Sequence, residues 1–332
     1  NYKEATATID VTVARSNYSV NGVHYVTLKD AVNAIATEGT VIVEKDNTDN
    51  TAFEITAGKD VVIDLHGKTI TVDSVISGPF IDNNGTLEMK DSVGNGEISL
   101  TTESGTGTAG CIIQNKTNGS LTINGGTYNV ISEATYPSVI RNQGEFIMND
   151  GTINAEREGS YWLAGVFMGD GSFEMNGGKI SAVGKTSGSG YGVISDGHKK
   201  CTISINGGEI ISSYMAIRLS VASTELPTNT SELNISGNTN ISGGTYGINL
   251  QDFEGVTTIT GGTISGGTYG IYTRAYHHAD VQGTIAIGSK DGNVSRTTPE
   301  ITGGSYGVQI TNEASTFNFY DGILKGKTSG IE

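Results

Sequence analysis

The sequence predicts an all-β chain wound as a single-stranded parallel β-helix of about ten coils, closed at its N-terminal end by a short capping helix. Three observations carry this prediction. An eight-residue motif returns along the chain, and a second apolar anchor returns with a similar period. Glycine supplies 48 of the 332 residues against only 4 prolines.

Composition narrows the alternatives first. Glycine is about twice its ordinary share, yet no Gly-X-Y period runs through the chain, so collagen is excluded. Charged residues make up 17% and hydrophobic residues 36%, and the apolar residues fall in short alternating runs rather than the sparse pattern of a disordered chain. Ala- and Leu-rich helical stretches are almost absent, which argues against a doubly wound α/β enzyme. The net charge of −15 disfavours nucleic acid, since phosphate binding needs clustered Lys and Arg. It disfavours an anionic membrane surface for the same reason. No apolar run is long enough to span a bilayer, so no membrane insertion is expected.

Taken in order, residues 1–14 hold the alternation Ala5-Thr6-Ala7-Thr8-Ile9-Asp10-Val11-Thr12-Val13, which reads as one strand. It is similar to the last strand of a bacterial immunoglobulin-like domain, so 1–14 are assigned to such a remnant or a linker and 15–332 to the β-helix. Residues 27–36 form the one good helix. Thr27 is its expected N-cap with Asp30 three residues on, a variant of the capping box, and Leu28, Ala31, Val32 and Ile35 make its apolar stripe. A solenoid exposes core and an unpaired edge at an open end, so this helix is placed as a cap. At the other end the chain stops within its repeat at Thr328–Glu332, and flanking domains of a longer chain are expected.

Between the ends, one motif recurs as Leu121–Tyr128, Phe146–Ile153, Phe173–Ile180, Ile203–Ile210 and Thr257–Ile264, with a degenerate copy at Leu233–Ile241 and a late one at Phe317–Leu324. Each has an alternating apolar pair, a polar or glycine turn and another apolar position. The second anchor is a β-branched residue: Ile112, Val139, Val166, Val193, Ile217, Ile248, Ile271, Val308 and Ile331. Alternation over four or five residues makes a short strand with one buried face. Glycine and asparagine supply the tight bends between strands. A repeat of 23–27 residues, as at most of these anchors, holds two or three such strands and no crossover helix. Stacked coils then hydrogen-bond about 4.8 Å apart. Helical repeats lack support because no 3.6-residue period occurs, and propeller blades need about 40 residues.

Several columns follow from this alignment. Asn124, Asn149, Asn176 and Asn206 share one position, continued by Ser236 and Thr260, while Asn83, Asn115 and Asn142 share another. Both read as ladders that satisfy turn backbone groups. Tyr191, Tyr246, Tyr269 and Tyr306 lie two residues before an anchor, and alternation places them on the core side as a structural stack. The residues after the anchors are expected outside: Ile113, Ile140, Phe167, Ile194, Arg218, Asn249, Tyr272 and Gln309. Cys111 and Cys201 are too far apart along the coils to bond and read as core thiols.

The segment Lys59-Asp60-Val61-Val62-Ile63-Asp64-Leu65-His66-Gly67-Lys68-Thr69-Ile70, with the turns Asn-Gly-Gly-Thr and Thr-Tyr-Gly-Ile, resembles the pectin-lyase-like superfamily. More closely, it is similar to the repeat-rich adhesin-like surface proteins of Gram-positive gut bacteria. The resemblance covers residues 22–332 and implies a right-handed coil, the hand usual for parallel crossovers. The fold hosts lyases, hydrolases, tailspikes and adhesins, so it does not fix an activity. The hydrolase motifs do not transfer: Ser195-Asp196-Gly197-His198 stands alone, without the paired Asp or the Arg-Ile-Lys. Of the lyase pattern, only Arg296-Thr297-Thr298-Pro299 retains a part. Asp170 and Asp196 follow successive anchors, so stacking would set them near 5 Å apart, a separation compatible with a retaining glycosidase pair, with His198 close by. The preferred reading makes them solvated turn residues, and no catalytic residue is assigned. His277, His278 and Asp280 do not make a metal set, because adjacent histidines diverge in extended chain. No cofactor is signalled, and calcium is left open.

Aromatic side chains on the excursions between anchors mark the expected contact surface. The ligand-binding candidates are Trp162, Tyr161, Tyr136, Phe167, Tyr214, Arg218 and Tyr272. The expected function is non-enzymatic: a segment of a secreted, surface-attached bacterial adhesin whose rigid coil displays a site for a glycan or a host surface protein. The alternative is a polysaccharide-active enzyme, a glycoside hydrolase or lyase. Ice or mineral binding would need a flatter Thr-X-Thr array than these irregular turns allow.

Overall fold

The computed structural model describes residues 16–73, 78–102, 110–157, 162–185, 189–195, 197, 200–220, 231–275, 283–290, 298–311 and 313–332. The strand expected in 1–14 lies outside them. The chain is a β-solenoid of about nine turns, 64% strand and 3% helix. Each regular coil lays down three short runs. Face one is an 11-stranded parallel ladder from Phe53–Ile55 to Ser329–Ile331. Faces two and three belong to one 20-stranded sheet, because strands such as Glu145–Arg157 and Cys201–Ser212 bend through the corner between them. Among the described residues no helix is long and apolar enough to cross a membrane.

The N-terminal end is closed by more than the predicted helix. Strands β1 (Tyr18–Val20) and β2 (Val23–Tyr25) form an antiparallel hairpin. Its two-residue turn, Asn21-Gly22, has both φ angles positive, at 50° and 77°, as a tight turn between right-twisted strands requires. β1 also pairs antiparallel with β3 (Glu38–Val43), the first strand of face two. Helix α1 (Leu28–Ala34) buries Leu28, Ala31 and Val32. Thr27 caps it as expected, its Oγ1 accepting from Asp30 N at 3.1 Å. Buried Asp49 accepts from Leu28 N at 2.7 Å. At the other end Lys59 Nζ donates to the Val32 carbonyl at 3.0 Å. The seven-residue helix is thus tied to the coils at both ends, which it needs, since so short a helix is unstable alone.

The interior is a set of columns. The register of face one stacks Phe53, Ile81, Ile113, Ile140, Val166, Val193, Ile217, Ile248, Ile271 and Val308, all buried. This corrects two anchors: Ile113 and Ile140 hold the column, not Ile112 and Val139, and neither of them faces outward. Both members of Ile112-Ile113 and Val139-Ile140 point inward with no exposure, so the alternation that orders the rest of the strand is broken there. In the later coils the residue before the anchor is Gly165, Gly192, Gly247, Gly270 or Gly307, and in one coil Ala216. A Cβ on Gly165 would lie 2.5 Å from Ile180 Cγ2, and one on Gly247 2.7 Å from Ile264 Cγ2. Gly165 and Gly247 therefore also point into the core, where only hydrogen fits, and Ala216 fills the equivalent place in its coil.

Beside this apolar column runs the predicted inner asparagine ladder. Asn83 Nδ2 donates to Asn115 Oδ1 at 2.8 Å, and Asn115 Nδ2 to Asn142 Oδ1 at 2.7 Å. All three are fully buried. Their amides also donate to the carbonyls of Ser120, Glu145 and Ser172 on the next coil. The outer ladder runs Asn124, Asn149, Asn176, Asn206 and Ser236 with links of 2.8–3.0 Å. It stops there, and the Thr260 hydroxyl turns to the Ile235 carbonyl. In the resemblance segment, Asp64 accepts from the His66 and Ser92 amides, so this carboxylate shapes a turn.

The two ladders should respond differently to truncation. Asn115→Ala leaves a buried amide and carbonyls unpaired and is expected to lower the unfolding free energy by about 2–3 kcal/mol in urea titrations, whereas the exposed Asn149→Ala costs under about 1 kcal/mol. Equal effects would contradict this difference. Cys111 and Cys201 are buried and in no disulfide, and burial pushes the Cys111 thiol up to about 12. A disulfide-exchange reagent at pH 8 is therefore expected to modify neither thiol in the folded chain and both in guanidinium. Stoichiometric labelling of the native protein would refute that.

Candidate functional site: an aromatic ridge on face one

The inward glycines have a consequence on the opposite side of the strand. With both the glycine and the anchor pointing in, the residue two before the anchor points out, on the same side as the residue after it. Two outer columns result. One stacks Ala164, Tyr191, Met215, Tyr246, Tyr269 and Tyr306; the other stacks Arg141, Phe167, Ile194, Arg218, Asn249, Tyr272 and Gln309. The tyrosines stack as predicted, but outside the coil. Ala164, Tyr191, Ile194 and Met215, with Trp162, Phe167, Tyr214 and Tyr246, form an apolar cluster separate from the core.

Ring contacts run continuously along this face. Tyr136 stacks on Trp162 with centroids 4.8 Å apart, and Trp162 lies parallel to Phe167 at 5.7 Å. Tyr191 meets Trp162 edge-on at 6.2 Å and Tyr214 edge-on at 5.7 Å. Tyr214 meets Tyr246 edge-on, and Tyr246, Tyr269 and Tyr306 then stack at 5.0 and 5.8 Å. Tyr272 leans against both Tyr246 and Tyr269. Offset-stacked and edge-to-face pairs are each worth about 0.5–1.5 kcal/mol beyond area burial, so the ridge is rigid. Most of its rings remain partly exposed, and Tyr136 is 40% exposed.

Arginine accompanies the rings. The Arg141 guanidinium lies 4.4 Å over Phe167 and that of Arg218 lies 5.8 Å over Tyr191. Burial raises the Tyr191 hydroxyl above its ordinary value, and Arg218 partly offsets this. Next to each other on the ladder, Arg218 Nε and Asn249 Oδ1 are shielded from solvent and make no hydrogen bond.

Of the predicted ligand contacts, Trp162, Tyr136, Phe167, Tyr214, Arg218 and Tyr272 all fall on this one face. Tyr161 lies outside the described residues. Ile113 and Ile140 belong to the core, and Ile194 is buried beneath the ridge. Arg141, Tyr191, Tyr246, Tyr269 and Tyr306 join the ridge without having been predicted there. The signal for the tyrosines is the repeated Tyr-Gly-Ile or Tyr-Gly-Val triplet, in which glycine takes the inward place.

Of the candidate catalytic residues, only Asp170 lies among the described residues. Asp170 is half-buried in the turn before Gly171, and Asp196 and His198 lie outside the described residues, as do His277, His278, Asp280 and Arg296. No group of three or more His, Cys, Asp and Glu able to hold a metal occurs among the described residues. A small pocket lined by Leu250, Phe253, Thr273, Gly283, Ile285 and Ser315 contains no charged side chain. No protein-family model, curated protein or solved structure matches the chain. Of what the resemblance implied, the structure supports the parallel β-helix fold.

Trp162 is the sole tryptophan, which makes the stacking measurable. Tyr136→Ala uncovers one face of the indole, so its emission should shift to the red and acrylamide should quench it more strongly. Unchanged emission with the fold intact would contradict the stacked geometry.

Proposed function

We propose that this chain is a rigid segment of a secreted, surface-attached bacterial adhesin that uses the aromatic ridge on face one to hold a glycan or a host surface protein. The observation that supports this is the convergence of six predicted contact residues, together with further rings, on one side of the solenoid. An array of partly exposed aromatic rings with interleaved arginine has the composition of a recognition surface, because Tyr, Trp and Arg are the residues that carry binding energy at interfaces. The surroundings fit this role. The scaffold is a stack of coils whose ladders hold the rings in fixed register, so little side-chain entropy is lost on contact. Low cysteine content and the absence of a disulfide framework are compatible with a bacterial extracellular protein that owes its stability to ladders.

The test is a host-glycan and extracellular-protein array, followed by titration of any partner found. Trp162→Ala and Tyr272→Ala are expected to weaken binding at least about tenfold, as loss of interface hot spots does, while Asn149→Ala, on another face, leaves it unchanged. Binding indifferent to both ridge substitutions would remove the ridge from the function. Release of reducing or unsaturated sugar from a polysaccharide panel, lost in Asp170→Asn, would replace adhesion with the enzymatic alternative.

A further inference from the structure

The arginines are unevenly placed. The chain carries a net charge of −15, yet of the four arginines among the described residues three lie along face one: Arg141, Arg218 and Arg274. The fourth, Arg157, is buried and donates to the carbonyls of Ala134 and Glu133. From Arg141 onward the ridge thus gathers arginine on an acidic molecule, while Glu54 and Asp82 head the same outer column in the earlier coils.

Ring orientation narrows the partner further. Sugars pack on exposed aromatic faces, but here the faces of Trp162, Tyr246 and Tyr269 are turned to neighbouring rings of the ladder. Between the end rings Tyr136 and Tyr306, these faces thus look along the ladder rather than outward. An arginine lying on a ring is held in place and pairs a carboxylate through its in-plane N–H groups.

Spacing supplies the last constraint. Arg141 and Arg218 stand three coils apart through Phe167 and Ile194, about 14 Å at the usual strand separation. An extended peptide rises about 3.4 Å per residue and repeats its side every second residue, so carboxylates four residues apart lie on one side at about the same distance. Resting on the reading of the ridge as a recognition surface, we propose that its partner is an acidic protein segment. The segment lies extended along the solenoid axis, with carboxylates four residues apart paired to Arg141 and Arg218.

Fluorescently labelled twelve-residue peptides of Thr and Val test this, one with two Glu four residues apart and one with two Glu three apart, alongside polygalacturonate and dextran. The four-apart peptide should bind more tightly than the three-apart peptide, weaken with salt, and lose at least about fivefold in Arg218→Gln or Arg141→Gln. Circular dichroism melting checks that both variants keep the fold. No peptide binding, indifference to Glu spacing, or no loss in either variant would overturn the proposal. Tighter binding of polygalacturonate than of either peptide would assign the ridge to an anionic glycan and overturn it as well. The Trp162 and Tyr272 array result reports separately on whether the ridge binds anything.

Discussion

Parallel stacking in register is the constraint on which this molecule depends. Each residue of a coil meets its counterpart about 4.8 Å above and below, so each position must be a residue that tolerates its own kind. Branched aliphatics do so by packing, asparagines by passing an amide from one coil to the next, and aromatic rings by stacking. Charges do so poorly. Some of those on the sheets pair across coils, as Lys179 with Glu209 or Lys116 with Asp82, while Glu54 stacks on Asp82 and Glu38 on Asp60.

The same rule explains why the fold was legible in sequence. A column that must repeat leaves a period, and the recurring Asn-Gly-Gly turn and Ile or Val anchor made that period visible. Column membership was readable too: both asparagine ladders were found, the outer one lacking only Thr260. The side of the strand was not readable everywhere. Alternation assumes that neighbours face opposite ways, and Gly165-Val166 breaks this because glycine adds no bulk to the core. Hydropathy carries no mark of a glycine turned inward, so the tyrosines two residues upstream were placed on the wrong side. In Ile112-Ile113 both residues are apolar, and only the pairing with Ile140 and Val166 identifies the anchor.

The candidate site was legible in parts and not as a whole. Trp162, Tyr136 and Tyr272 stood out as aromatics in a polar chain. That Trp162 stacks on Tyr136 and that Tyr272 joins the same row of rings through Tyr246 depends on register across coils of unequal length, which no local pattern encodes. Arg141 illustrates the gap. Taking Val139 as the anchor put it one place out of register, and its position over Phe167 emerges only when Ile140 replaces Val139.

The direction of the hydrogen bonds has a mechanical consequence. In all three ladders they run from coil to coil, along the axis, while the covalent chain runs around it. Tension applied between the two ends therefore loads the bonds of a terminal coil before those of its neighbours, and the solenoid opens as a zipper. One released coil of 23–37 residues, the spacings of the later anchors, pays out about 80–130 Å of chain. A rod held at both ends would yield stepwise under a near-constant load, behaving as a shock absorber whose far coils keep their shape.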